Sequence, residues 1–165
     1  MQELGLKIKV SGNNSLDPKL LSEFEDEFNV KLPEQYREFM IKYNGGYVDP
    51  CIFKFDDEGG STVLNELYPL KSEEDVDLYY INDLHEDYFS DGFITIGDDP
   101  GGSDICLGVK GDVRGKVYFF DRESDYEEYD EEGEEILIDE KIMYLLSDTF
   151  YGFLDSLYED EDAED

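Results

Sequence analysis

The sequence predicts a single α+β domain, with amphipathic helices at both ends and mostly antiparallel strands between them. Three observations predict it. A chain of 165 residues suits one domain. Helical apolar spacing marks its opening and closing segments. From Gly92 onward, short β-type runs alternate with glycine-bearing links that are too short for crossover helices and favour hairpins.

Taken in order, Ser11 to Phe28 reads as a first helix, with Asp17 or Ser15 as its cap and Pro18 at the first helical position. Leu20, Leu21, Phe24 and Phe28 form its apolar stripe, and Glu23, Asp26 and Glu27 its solvated one. A second helix starts at Leu32-Pro33, with Glu34 in its first turn and Tyr36, Phe39, Met40 and Tyr43 facing inward. Asn44-Gly45-Gly46 ends it, because these residues tolerate the left-handed backbone of a helix C-cap. Cys51 to Phe55 reads as a strand and Asp56 to Gly60 as a turn. Ser72 to Leu84 reads as helix, with Ser72 and Asp75 resembling a capping box. Phe93–Ile96, Asp104–Val109 and Lys116–Phe120 are strands, and Ile136-Leu137-Ile138 is a short fourth. The block from Glu123 to Glu135 repels itself and is read as a mobile loop or a solvated hairpin. A last helix runs near Ser147 to Tyr158, with Phe150, Phe153, Leu154 and Leu157 on one face. The domain is placed at 1–158 with an acidic insertion at about 122–135, and 159–165 is an acidic tail.

The charge is the outlier. Forty-five Asp and Glu against 13 Lys and Arg leave a formal net charge of −32. With 39% hydrophobic and 15% aromatic residues the chain still has a core to bury, so the charge does not mean wholesale disorder. Phosphate contacts need cations, which excludes direct binding to nucleic acid, and anionic membranes are excluded by the same sign. A basic protein or a metal cation fits the charge. So do salt adaptation and plain solvation, and composition alone does not separate them. No apolar run reaches the roughly 20 residues of a bilayer span, and Met1 to Val10 holds no signal-peptide core. Cys51 and Cys106 sit among apolar residues and read as buried free thiols of a reducing compartment, with a disulfide between them left open. The expected location is the cytoplasm.

One local pattern stands out. Leu32-Pro33-Glu34-Gln35-Tyr36-Arg37-Glu38-Phe39, followed by Tyr43-Asn44-Gly45-Gly46, is by itself a folding signature. With Ile96-Gly97-Asp98-Asp99-Pro100-Gly101-Gly102, then Gly115-Lys116-Val117-Tyr118-Phe119-Phe120-Asp121 and the closing Phe150-Tyr151-Gly152-Phe153-Leu154, it resembles the SUKH superfamily, in particular its Smi/Knr-type members. The resemblance covers about Leu16 to Leu157, and the acidic insertion after Asp121 departs from the most compact members. It implies an α+β fold with a curved antiparallel sheet packed by helices. It also implies a function, because bacterial single-domain members are immunity proteins that bind and block a toxin, often a nuclease. Larger fungal members are regulators that act as interaction hubs.

Other chemistries are weaker. Asp98, Asp99 and Asp104 offer oxygens to a cation, but the alternating acids and terminal Glu of an EF-hand loop are missing, and Asp-Gly turns are common. The same turn lacks the lysine of a phosphate loop. His85, the single histidine, lies beside Glu86 and Asp87 with no nucleophile elbow in the chain and too few Cys or His for zinc, so it reads as a surface residue. In a chain this acidic any carboxylate pair matches by chance, so pairs carry no signal for acid–base catalysis. Tyr88, Phe89, Tyr126 and Tyr129 sit among acids, as part of the core or as anchors of an interface with an anionic rim. The reading is therefore a non-enzymatic immunity protein without cofactor or metal that occludes the cleft of a basic toxin. Its contacts are placed at Asp56, Asp57 and Glu58, at Asp98 and Asp99, and at Glu127, Glu128, Tyr129 and Asp130. The alternative is a regulatory scaffold for an endogenous protein.

Overall fold

A computed structural model describes residues 8–12, 15–55, 60–73, 76–84, 92–121, 128–129, 135–136 and 143–159. The elements along the chain are β1 (Lys9–Ser11), α1 (Pro18–Phe28), α2 (Glu34–Tyr43), β2 (Tyr47–Asp49), β3 (Ile52–Lys54), β4 (Ser61–Val63), β5 (Glu66–Leu67) and α3 (Leu78–Leu84). Then follow β6 (Phe93–Asp98), β7 (Asp104–Gly108), β8 (Val117–Phe120), β9 (Glu128–Tyr129), β10 (Glu135–Ile136), β11 (Met143–Ser147) and α4 (Phe150–Ser156). The fold is α+β, as the sequence predicts, and every described strand pairing is antiparallel.

The main sheet has five strands in the order β11-β8-β7-β6-β5. β7 is buried along its whole length, so it is the spine of the domain. Leu67 of β5 exchanges both backbone hydrogen bonds with Gly46, at 2.8 and 2.9 Å, which carries the β-structure on towards the β1–β2 pair. Gly46 has φ of +127°, and a Cβ there would stand 2.5 Å from the Ser11 carbonyl oxygen. Glycine is required on both counts.

The helices form where local chemistry dictates. The Asp17 carboxylate accepts from the Lys19 N–H and Pro18 opens α1, which therefore starts at Pro18 and not at Ser11; residues 9–11 pair with β2 instead. Asn44 takes the left-handed conformation at the end of α2, as its sequence predicts. Its side-chain oxygen also accepts from the Leu70 N–H at 2.8 Å, so the cap ties α2 to the chain after β5. Between α1 and α2, Glu25 accepts from Arg37 Nη1 at 2.7 Å and from the Leu32 N–H at 2.8 Å, fixing the entry to the Leu-Pro segment.

The helix expected over Ser72–Leu84 is confined to Leu78–Leu84. Asp77 explains this: it accepts from the Ser72 N–H and from the Tyr80 N–H, so it takes the capping role assigned to Ser72 and Asp75. Asp75 itself lies outside the described residues. The fourth strand beside β8 is β11, which the sequence leaves unassigned apart from Ser147, read as the start of the last helix. Ser147 ends that strand, and Thr149 caps α4 through the Gly152 N–H. Ile136 pairs with Glu128 and Glu135 with Tyr129 in a short hairpin, while Leu137 and Ile138 lie outside the described residues.

The core joins α2 and α4 to the sheet. Phe150 packs edge-on against Tyr36 and Phe39, with centroids 5.2 and 5.3 Å apart, and Phe53 links Phe119 to Phe153. Cys51 and Cys106 are both free thiols, which closes the disulfide alternative, and burial raises the Cys51 thiol pKa. Asn82 on α3 is fully buried. Its amide donates to the Leu78 and Thr95 carbonyls and accepts from the Thr95 N–H at 2.7 Å, next to the register shift between Thr95 and Gly97. A side-chain amide here substitutes for a neighbouring strand. No helix among the described residues is long and apolar enough to cross a membrane.

Candidate functional site

The described acids expected to meet a partner converge on the β6–β7 turn, and they do different jobs. Asp99 is 4% exposed. One of its oxygens accepts from the Ser103 N–H at 2.8 Å and the other from the Thr62 hydroxyl at 2.9 Å. The carboxylate thus locks the turn and ties it to the β3–β4 hairpin. Asp98, one residue earlier, lies half-exposed at the end of the sheet and accepts from Asn65 Nδ2 at 3.1 Å and from the Tyr68 hydroxyl.

Charge accumulates around Tyr68. Burial pushes the Asp98 carboxyl above its ordinary pKa; the hydrogen bonds from Asn65 and Tyr68 oppose this, and repulsion from Asp99 and Asp104 adds to it. Burial, then repulsion from Asp98 and Asp104, then the bond to Asp98 raise the Tyr68 phenol, which stays neutral and donating. Asp104, also buried, completes the node from β7. Among the described residues no group of three or more His, Cys, Asp or Glu is arranged to hold a metal ion. Both Asp99 oxygens and Asp98 Oδ1 accept hydrogen bonds from protein donors.

The other expected contacts are not brought into this node by the described structure. Asp56, Asp57 and Glu58 lie outside the described residues. Glu127 and Asp130 also lie outside, and Glu128 and Tyr129 are described only as backbone in β9. His85, Glu86, Asp87, Tyr88, Phe89 and Tyr126 fall in the same undescribed class. Thr62, Asn65 and Tyr68, the groups that decide which acid turns inward, carry no local signal. Only the β4 and β5 pairings place them.

Cations gather elsewhere. Two adjoining shallow clefts of about 530 and 520 Å³ share Ser22, Glu25 and Lys31, and are lined further by Lys110 in one and by Arg37 and Arg114 in the other. Arg37 is tied to Glu25, and Arg114 donates to the Leu32 carbonyl at 3.1 Å. Arg114 thus joins the Lys31–Leu32 segment to the loop between β7 and β8, and Arg37 joins α2 to α1.

The positions that carry the sequence pattern are thus spent on folding. Tyr36 and Phe39 fill the core, Asn44 caps α2, Gly46 admits Ser11, and Asp99 closes a turn. These positions of the pattern therefore identify a scaffold.

Comparison with known proteins matches residues 15–156 to the model of the SMI1 / KNR4 family (SUKH-1). The chain is also similar to the SPbeta prophage-derived uncharacterized protein YokK of Bacillus subtilis (strain 168), with 26% identity over 160 residues, covering 85% of this chain and 73% of the relative.

Proposed function

This chain belongs to the SMI1 / KNR4 family (SUKH-1), and on that premise we propose that it is an immunity protein that binds and neutralises a cognate protein toxin. The family match over most of the chain carries the reading; the net charge of −32 supplies the partner's chemistry. A chain of this sign is attracted to a basic surface, and a nuclease cleft is basic because it must hold phosphates. The inhibitor acts by covering that cleft and performs no chemistry of its own. Long-range attraction speeds encounter, while packed apolar side chains at the centre set the lifetime of the complex.

The proposed contacts are Asp98 at the sheet end, the acids at 56–58 and the segment 127–130. Asp99 supports them from within the turn. An endogenous protein as partner is the competing outcome.

Growth separates the two. The protein encoded by the adjacent reading frame is expressed in a host with and without this chain. The immunity reading expects growth arrest that this chain relieves, and no growth defect when the chain is deleted in the absence of that neighbour. A neighbour that is harmless, or a deletion that is deleterious without it, overturns the reading in favour of a regulatory scaffold.

A further inference from the structure

α3 presents its outer face to solvent with the wrong chemistry for a solvated helix. Its inward residues Leu78, Ile81 and Asn82 are buried against the sheet, and Tyr79 packs on Phe24 and Phe28 of α1 at 5.2 and 5.8 Å. That leaves Tyr80 and Leu84, one helical turn apart, which are 59% and 61% exposed. Val76, just ahead of the helix, is 38% exposed. In a chain with 35% charged residues, two large apolar side chains on one turn of an outer face need a reason.

The charge around them says what covers that face. The sequence from Glu73 to Asp87 holds acids throughout and neither Lys nor Arg. Glu73 and Asp83 are both exposed, Asp83 next to Leu84 on the helix and Glu73 ahead of the helix in a cleft shared with Asp77 and Tyr79. Lys71, the cation just before this segment, sits over the ring of Tyr79 at 5.0 Å and is engaged within the domain. A second copy of this chain would bring the same acids to the same place and be repelled. A basic surface with an apolar recess would gain on both terms.

From this juxtaposition we infer that the outer face of α3 is the anchor of the partner interface, with Tyr80 and Leu84 entering a recess on a basic protein surface and Glu73 and Asp83 on the rim. The inference rests on the immunity reading and deepens it, since it moves the centre of the contact from the acidic loops to an apolar pair that acids surround. An aromatic anchor in a desolvated centre, with charge outside it, is the arrangement in which a few side chains supply most of the affinity.

The test uses the full chain and the protein encoded by the adjacent reading frame as the probe. Tyr80→Ala with Leu84→Ala is compared with Leu145→Ala, another exposed large apolar residue, at 50%, on the edge strand β11. Both sets lie at the surface and leave melting temperature unchanged. The double variant is expected to weaken binding at least about thirtyfold through faster dissociation, because anchors of this kind carry such losses. Leu145→Ala is expected to leave binding unchanged, and Glu73→Gln with Asp83→Asn to slow association and flatten its salt dependence. Tight binding by wild type and double variant alike, or equal loss from Leu145→Ala, overturns the anchor while the immunity reading stands. A wild-type chain that does not bind the probe overturns the immunity reading itself. A wild-type dimer that the double variant dissociates assigns the face to a second copy and overturns the partner.

Discussion

Replacing Asn82 with leucine isolates the contribution of one buried amide. The side chain keeps its branching and heavy-atom count, but three hydrogen bonds vanish and the bulkier methyls crowd a fully buried site. The Leu78 carbonyl still lies in its own helix. The Thr95 N–H and C=O each lose the bond to Asn82 in a fully buried place, beside the irregular register of β6 and β7. A buried polar group left unsatisfied costs about 1–3 kcal/mol. Loss of the Asn82 bonds to Thr95, partly offset by the apolar gain, gives a loss of roughly 2–4 kcal/mol. In a domain of this size that lowers the melting temperature by about 4–16 °C. Urea titration with an unchanged slope measures it directly. Asn82→Asp is expected to lose more, since it keeps an acceptor for the Thr95 N–H but places a charge in the core. A loss below about 1 kcal/mol for leucine would refute the claim that this amide stands in for a strand.

Three further perturbations follow from the geometry. Tyr36 has a fully buried hydroxyl with no hydrogen-bond partner among the described residues, so Tyr36→Phe is expected to be neutral or stabilising by up to about 1 kcal/mol in urea titration; a larger loss would mean that the hydroxyl is satisfied. Asp99→Ala removes the side-chain bond that locks the β6–β7 turn and the one that ties it to β4, and is expected to destabilise by about 2–4 kcal/mol, with Thr62→Val losing roughly half as much in calorimetry. The third is a pH effect at Asp98, whose folded-state pKa is raised above its unfolded value. Its contribution is therefore favourable at acid pH and lost as pH rises through the folded pKa. Asp98→Asn should stabilise the domain at neutral pH and lose that advantage below the carboxylate range; a benefit that grows in acid would reverse the sign argument.

The sequence carried the elements whose signals are local. Pro18 and Asp17 start α1, Asn44-Gly45-Gly46 stops α2, and the glycine-bearing links turn β6 into β7 and β7 into β8. What it did not carry depends on distant partners. β1, β2 and β4 are three residues each and β5 is two, so each exists only because another strand pairs with it. Met143–Ser147 is a short apolar run without clear alternation, so periodicity gave it no assignment, and its pairing with β8 makes it a strand. Among the acids, Asp98 and Asp99 are adjacent and alike in sequence; Thr62, 37 residues from Asp99, decides which one turns inward. The outer face of α3 was within reach, since Tyr80 and Leu84 are spaced by four, but only the packing of Leu78, Ile81 and Asn82 against the sheet shows that this pair faces away from the core.

The most direct measurement titrates the purified protein of the adjacent reading frame with this chain, following its toxic activity and complex formation together. The account expects activity to fall in step with complex formed, saturating at a fixed stoichiometry, with association slowing as ionic strength rises. A complex that leaves the activity intact, or association indifferent to salt, would contradict it.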